Sequence, residues 1–378
     1  MRAARGPLLA FAVFGAYWGA WGVLVPAVKE QVGASLTQLG LALLAVALAA
    51  LPAMLITGRV VDRVGPRILP LTLVIFAAAV LLPALANSVW QLGLALVVVG
   101  LASGALEVVI NVAATNVETS GGPRVMQVAH ALFSAGFLVA AVAVGVARGA
   151  GAGPLPILAV ISAAALVAAA ANRGYPASTR RVSVRRFTFS RRLLVLGLLC
   201  ALAFLVEGGI EGWSALFLET ELEAAPAVGG LGPGFFAAAM VAGRLVGQGL
   251  ELRVGDRRLL AGGAATAAMG LGLAAAAPSI PVALLGFALG GAGVSVAAPT
   301  LFGAAGRGAS EAERGSAVAS VTTISYLGFL AGPPLIGAVS GAVDLRAGLG
   351  LLSAIALLLA VAAASARGTL SAVGRRHP

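Results

Sequence analysis

Glu107, Glu207 and Glu211 are three of the chain's 14 acidic residues, and each sits inside a long apolar run. A carboxylate among apolar side chains must face a watery interior or carry a proton, so such residues are candidates for proton transfer. Glu107 belongs to a stripe of Ser103, Glu107, Asn111 and Thr115, which a helix places on one slowly drifting face. That face is expected to line a cavity, with Glu107 taking up and releasing a coupling proton and Ser103, Asn111 and Thr115 meeting a solute. A carboxylic acid bonded to a neighbouring helix is the structural alternative. Glu207 and Glu211 are one helical turn apart, with Ser214 continuing the face. Two such carboxylates resist simultaneous ionisation, so they share a proton or one of them meets solvent. Glu207 is the second proton candidate. Glu211, followed by Glu219, Glu221 and Glu223, is placed with the substrate contacts, with a coupling role and a simple outer-vestibule role both open.

Gln127, His130 and Ser134 share a face of another apolar run. His130 could relay a proton there, with Gln127 beside it for substrate; helix packing through the imidazole is the alternative. Tyr17, Trp18, Trp21 and Trp213 have rings that could stack on the apolar face of a sugar or on a lipophilic solute, although packing alone would also explain Trp21. Trp90, near the end of a run, reads as an interface anchor. Pro299 and the pair Pro333-Pro334 mark expected kinks and are gating candidates. Cys200 is the single cysteine, so no intramolecular disulfide and no cysteine cluster for a metal is expected. Nucleotide-binding glycine loops and nucleophile motifs in context are missing as well, so neither an enzyme nor a cofactor is expected.

The elements that position these groups follow from composition. Sixty per cent of the 378 residues are hydrophobic and 10 per cent charged, and the mean hydropathy is +1.02. A water-soluble fold could not cover that much apolar surface, since soluble domains carry about 25 per cent charged residues. The apolar material falls into twelve blocks near 7–28, 36–57, 68–87, 91–116, 125–147, 154–172, 193–217, 229–250, 258–277, 280–302, 315–340 and 347–366. Each has about the 20 residues a helix needs to cross the hydrocarbon of a bilayer. Alternating strand patterns of the barrel type are absent.

The net charge of +11 could suggest a nucleic-acid partner, but its distribution argues otherwise. With both termini cytoplasmic, all of the 25 Lys and Arg except Lys29, Arg148 and Arg346 fall on the cytoplasmic side, as the positive-inside rule demands. The densest cluster is Arg173, Arg180, Arg181, Arg185, Arg186, Arg191 and Arg192, placed to meet anionic lipid headgroups of the bilayer. No nucleic-acid partner is expected. A cleavable signal would be followed by soluble sequence, whereas the first apolar block leads directly into further membrane blocks, so a retained N-terminus is expected.

The basic segment 173–192 separates residues 1–172 from 193–378, six blocks on either side. The halves repeat one another. Trp21 corresponds to Trp213, Gly100 and Gly104 to Gly286 and Gly290, and Gly136-Phe137-Leu138 to Gly328-Phe329-Leu330, at offsets between 186 and 192. A duplicated six-helix unit explains this better than chance in a chain with 51 glycines.

Between the second and third blocks the sequence reads Gly58-Arg59-Val60-Val61-Asp62-Arg63-Val64-Gly65-Pro66-Arg67, with a degraded counterpart over Gly247 to Arg257 in the second half. The loop resembles the signature loop of the major facilitator superfamily. The resemblance implies an all-α membrane protein, with twelve transmembrane helices in two pseudo-symmetric six-helix bundles around a central cavity. It also makes Gly58, Asp62, Arg63, Gly65 and Arg67 gating residues. Three further stretches resemble the branch of the fucose–proton symporter and its bacterial relatives: Gly104 to Asn111, His130 to Gly136, and Tyr326 to Pro334, with Tyr326 a candidate substrate contact. Two positions depart from that branch. The first block holds Tyr17, Trp18 and Trp21 but no aspartate, and Gly212 stands where an acid would precede Trp213. The expected function is proton-coupled symport of a small polar organic solute, sugar-like by resemblance, by alternating access across the inner membrane. A monomer is the fold-level expectation. Proton-driven efflux of lipophilic compounds and a non-transporting receptor are the alternatives.

Overall fold

The computed structural model describes residues 2–64, 67–119, 125–173, 190–310 and 313–366. Gly65 therefore lies outside the described residues, as do Arg180, Arg181, Arg185 and Arg186 and the side chains of Asp62 and Arg63. The described chain is helical throughout: α1 (Arg2–Gln31), α2 (Leu36–Val64), α3 (Ile68–Ala79) with a 3-10 turn (Leu82–Leu85), α4 (Val89–Thr119), α5 (Met126–Gly149) and α6 (Pro154–Ala171). There follow α7 (Arg191–Glu221), α8 (Pro226–Gly229), α9 (Leu231–Val254), α10 (Asp256–Ala275), α11 (Ile280–Val294), α12 (Ala297–Arg307), α13 (Arg314–Ala342) and α14 (Leu345–Ser365). Twelve spans result that are long and apolar enough to cross a membrane. Their outer faces fit that solvent: Val139, Val160, Leu245 and Met269 are each 67–69% exposed, an arrangement that water would penalise and lipid does not.

Three spans are made of two pieces, and proline accounts for the breaks. Pro83 lacks the N–H that would reach back to residue 79, so α3 ends there and the chain continues as the 3-10 turn. Pro226 opens the one-turn α8, and Pro233 lacks the N–H that would reach back to Gly229, where α8 ends ahead of α9. In the tenth span the helix is interrupted at Ser295 and Val296, which puts Pro299 in the first turn of α12, where its missing N–H costs nothing. Pro333 and Pro334 differ: α13 runs through both, leaving the carbonyls of Phe329 and Leu330 without their usual helical donors.

Two compact units divide the chain, one of Met1–Val182 with Ala224–Gly234 and one of Ser183–Glu223 with Phe235–Pro378. In the first, α1 packs along α5, and a Cβ at Gly136 would overlap the Ala12 carbonyl oxygen. In the second, α7 packs along α13 in the same manner, with Gly328 against the Ala201 carbonyl oxygen. Such backbone-to-backbone approach is how membrane helices associate when lipid removes the hydrophobic drive between them. Gly100 of α4 likewise lies against the Val46 carbonyl of α2, and the residue that packs in this way on α9 is Gly291 of α11, against the Phe236 carbonyl. The sequence alignment of Gly100 with Gly286 is thereby corrected. Gly286 packs on Gly270 of α10, a different neighbour, whereas Gly291 gives an offset of 191 that agrees with the other pairs.

Candidate functional site

Within the second unit, one face of α7 carries Phe204, Glu207, Gly208, Glu211 and Gly212, all partly exposed and spaced by three or four. The opposite face, with Cys200, Val206, Ile210, Trp213 and Phe217, is buried. The packing that fixes α7 therefore leaves its acid-bearing stripe open. Glu207 faces Arg244 of α9, with Nη2 4.0 Å from Oε1; the side chains are 16% and 40% exposed respectively. Glu211 lies one turn along, within electrostatic reach of both.

Arg244 is missed by the sequence reading, which assigns it to the cytoplasmic side although it lies inside the block 229–250. The structure puts it in the span Pro226–Glu251, seven residues before its end and so about 10 Å along the helix from that end. The signal is present in the sequence: an intramembrane cation is as costly as an intramembrane acid, and acids alone do not mark every such position.

Beside Glu207 stands an aromatic group. A Cβ at Gly208 would lie 2.8 Å from Cδ1 of Phe329, so that ring rests directly on α7. Phe329 and Phe204 have centroids 4.7 Å apart, and Tyr326 and Phe302 extend the group at 5.9–6.4 Å. All four rings are partly exposed. The predicted contact Tyr326 is thus joined by three phenylalanines whose positions only the fold reveals.

In the first unit, Glu107 is partly exposed on α4 and its stripe bonds largely to its own helix. Asn111 Nδ2 donates to the Glu107 carbonyl at 2.8 Å, Thr115 Oγ1 to the Asn111 carbonyl at 2.9 Å, and the buried Ser103 hydroxyl to the Gly100 carbonyl at 3.2 Å. Ser103 is therefore taken up in packing, whereas Glu107, Asn111 and Thr115 keep open surface. Gln127 and His130 on α5 are exposed, the imidazole edge-on to Phe11 at 5.2 Å, and Ser134 donates to the His130 carbonyl. The start of α5 is capped by Glu118, whose Oε1 accepts from the N–H groups of Val125 and Met126.

Three of the four aromatic candidates are interior. Tyr17 is fully buried between Trp18, Trp21 and Phe76, and its hydroxyl has no hydrogen-bond partner among the described residues; Trp21 and Trp213 are 5% and 1% exposed. Burial favours packing for these three rings, leaving Trp18 as the partly exposed member. Trp90, the anchor candidate, is 67% exposed.

Near the motif-bearing loops, Gly58 faces open space, and Arg67 directly precedes α3. Around the counterpart loop in the second unit, Arg307 at the end of α12 pairs with Asp256 and, at 3.7 Å, with Glu251. Arg257 donates to the Ala364 carbonyl and Arg192 to that of Ala304. These ties clasp one end of α9, α10, α12 and α14 together.

The Major Facilitator Superfamily model matches residues 8–250 and 196–373. An uncharacterized MFS-type transporter of Yersinia pestis is 36% identical over 95% of this chain and 94% of its own length. The membrane protein MosC of Rhizobium meliloti is 30% identical over 93% of this chain and 87% of its own. The crystal structure of the nucleoside transporter NupG superimposes with a TM-score of 0.79, covering 97% of this chain and 99% of that one; at 14% identity it shows the fold alone. The chain belongs to the major facilitator superfamily. It is a multi-pass membrane transporter rather than an enzyme.

Proposed function

We propose that this chain is a proton-coupled secondary transporter that carries a small polar organic solute across the inner membrane by alternating access. What carries the reading is the Glu207–Arg244 pair: two charged side chains inside apolar spans, 4.0 Å apart on a face that packing leaves open. Charges at that depth are costly and are retained chiefly where solutes or protons pass. Glu107 on α4 supplies a second partly exposed carboxylate, and His130 an exposed imidazole. These three are the proton-handling candidates; Trp18, Asn111, Thr115, Gln127, Glu211 and Tyr326 are the candidates for solute contact. The break before Pro299 and the carbonyls of Phe329 and Leu330, whose helical donors Pro333 and Pro334 remove, offer places where spans bend during the cycle. The Lys and Arg distribution supports cytoplasmic termini, and the resemblance to the fucose–proton branch supports a sugar-like solute. The nucleoside transporter among the structural neighbours is compatible with a small polar solute.

Proteoliposomes carrying an internal pH dye test this directly. Addition of a transported solute moves protons in the wild type. Loss of that movement in Glu107→Gln or Glu207→Gln supports coupling through the span carboxylates, and flux unchanged in both variants contradicts it.

A further inference from the structure

Arg244 has five N–H donors and few acceptors. Among the described residues it meets Glu207 at 4.0 Å, beyond hydrogen-bond distance, and the Met240 sulfur at 3.8 Å. A guanidinium in an apolar span thus keeps most of its fork unused, with 40% of the side chain exposed. Beside its partner Glu207 lie the Phe204 and Phe329 rings, 4.7 Å apart and partly exposed. One turn further along α7, Gly212 has open space where a Cβ would stand. A planar cation with open donors, a pair of apolar rings on the face of α7 that carries Glu207, and open space at Gly212 on that face define a ligand by its chemistry. The guanidinium fork matches a carboxylate with two parallel hydrogen bonds, and the rings match the apolar face of a ring-shaped body.

We propose that this cluster binds a small ring-bodied monocarboxylate, its carboxylate on Arg244 in competition with Glu207 and its ring against Phe204 and Phe329. The assignment rests on the transport reading above and narrows its solute to an organic acid. A ligand carboxylate on Arg244 deprives ionised Glu207 of its counter-ion, and Glu207 then accepts one proton on a carboxylate oxygen. One anion and one proton bind together, with no net charge. Among the described residues, Glu211 and Cys200 on α7 interact electrostatically with Glu207, and Tyr326 on α13 lies against the neighbouring Phe204 ring.

The test is calorimetric titration of the full chain in nanodiscs with two matched pairs, phenylacetate against phenylacetamide and glucuronate against glucose. We expect the acid of at least one pair to bind about tenfold or more tightly than its neutral mate, as an Arg–carboxylate pair requires. Arg244→Gln and the charge-keeping Arg244→Lys should both erase that advantage, with thermal unfolding confirming that each variant is folded. Glu207→Gln should tighten the acid several-fold, because the internal competitor is gone; a merely structural pair would show no gain. The proposal is overturned by equal binding of acid and neutral mate in both pairs, by binding of neither pair, by an acid advantage that survives Arg244→Gln, or by weaker acid binding in Glu207→Gln. Preferential binding of phenethylamine, captured by Glu211, would overturn it as well. If neutral solutes move protons while acids hold no advantage, the site assignment fails and the transport reading stands. If an acid binds as expected but moves neither protons nor solute in vesicles, the transport reading fails and the site stands.

Discussion

Arg244 Nη2 stands 4.0 Å from Glu207 Oε1, joining the eighth span to the seventh through two charged side chains. At that separation the pair is an electrostatic contact without a hydrogen bond, and the cation is 40% exposed. A tight, buried pair would resist rearrangement; a loose one leaves both groups available to a solute and a proton.

Arg244→Gln, Glu207→Gln and the double variant measure how loose the pair is. Solvent screening of the partly exposed cation keeps the coupling energy small, about 0.5–1 kcal/mol from the double-mutant cycle. Thermal unfolding in detergent should show singles and double within a few degrees of one another.

The repeated glycine contacts make a sharper stability prediction. Gly136→Val and Gly328→Val drive a side chain into the carbonyl oxygens of Ala12 and Ala201, and backbone cannot yield as a flexible side chain can. Both variants should fail to accumulate as folded protein. Gly93→Ala and Gly262→Ala, which meet nothing within 4 Å, should fold normally and gain up to about 1 kcal/mol of helix propensity. Size-exclusion profiles of the four variants check this.

Arg307 bridges Glu251 and Asp256 from the end of α12. With 44% of its side chain exposed, Arg307→Ala should cost under about 1 kcal/mol, and the loss should shrink in high salt, as expected for a screened surface pair. Unfolding curves at two salt concentrations decide it.

The spans were legible in the sequence because a bilayer imposes length and apolarity on every crossing, and twelve blocks emerged as twelve spans. The division of the third span at Pro83 was less so: a proline near the end of a hydrophobic run reads equally as a span terminus. Hydropathy hid Arg244, because one cation seven residues from a span end resembles loop charge. Aromatic residues carried no sign of direction. Tyr17 and Trp213 turned out to be core and Phe204 and Phe329 open, a difference that depends on which helix packs where and not on residue type. The repeat was legible, yet its register at Gly100 was settled by which backbone each glycine touches.

If protons drive solute movement through span carboxylates, solute uptake into proteoliposomes follows an imposed pH gradient, read with and without a protonophore. Wild type is expected to accumulate solute above equilibrium and to lose that accumulation with the protonophore, and Glu207→Gln to reach equilibrium and no further. Uptake that stops at equilibrium in the wild type, indifferent to the gradient, rules proton coupling out.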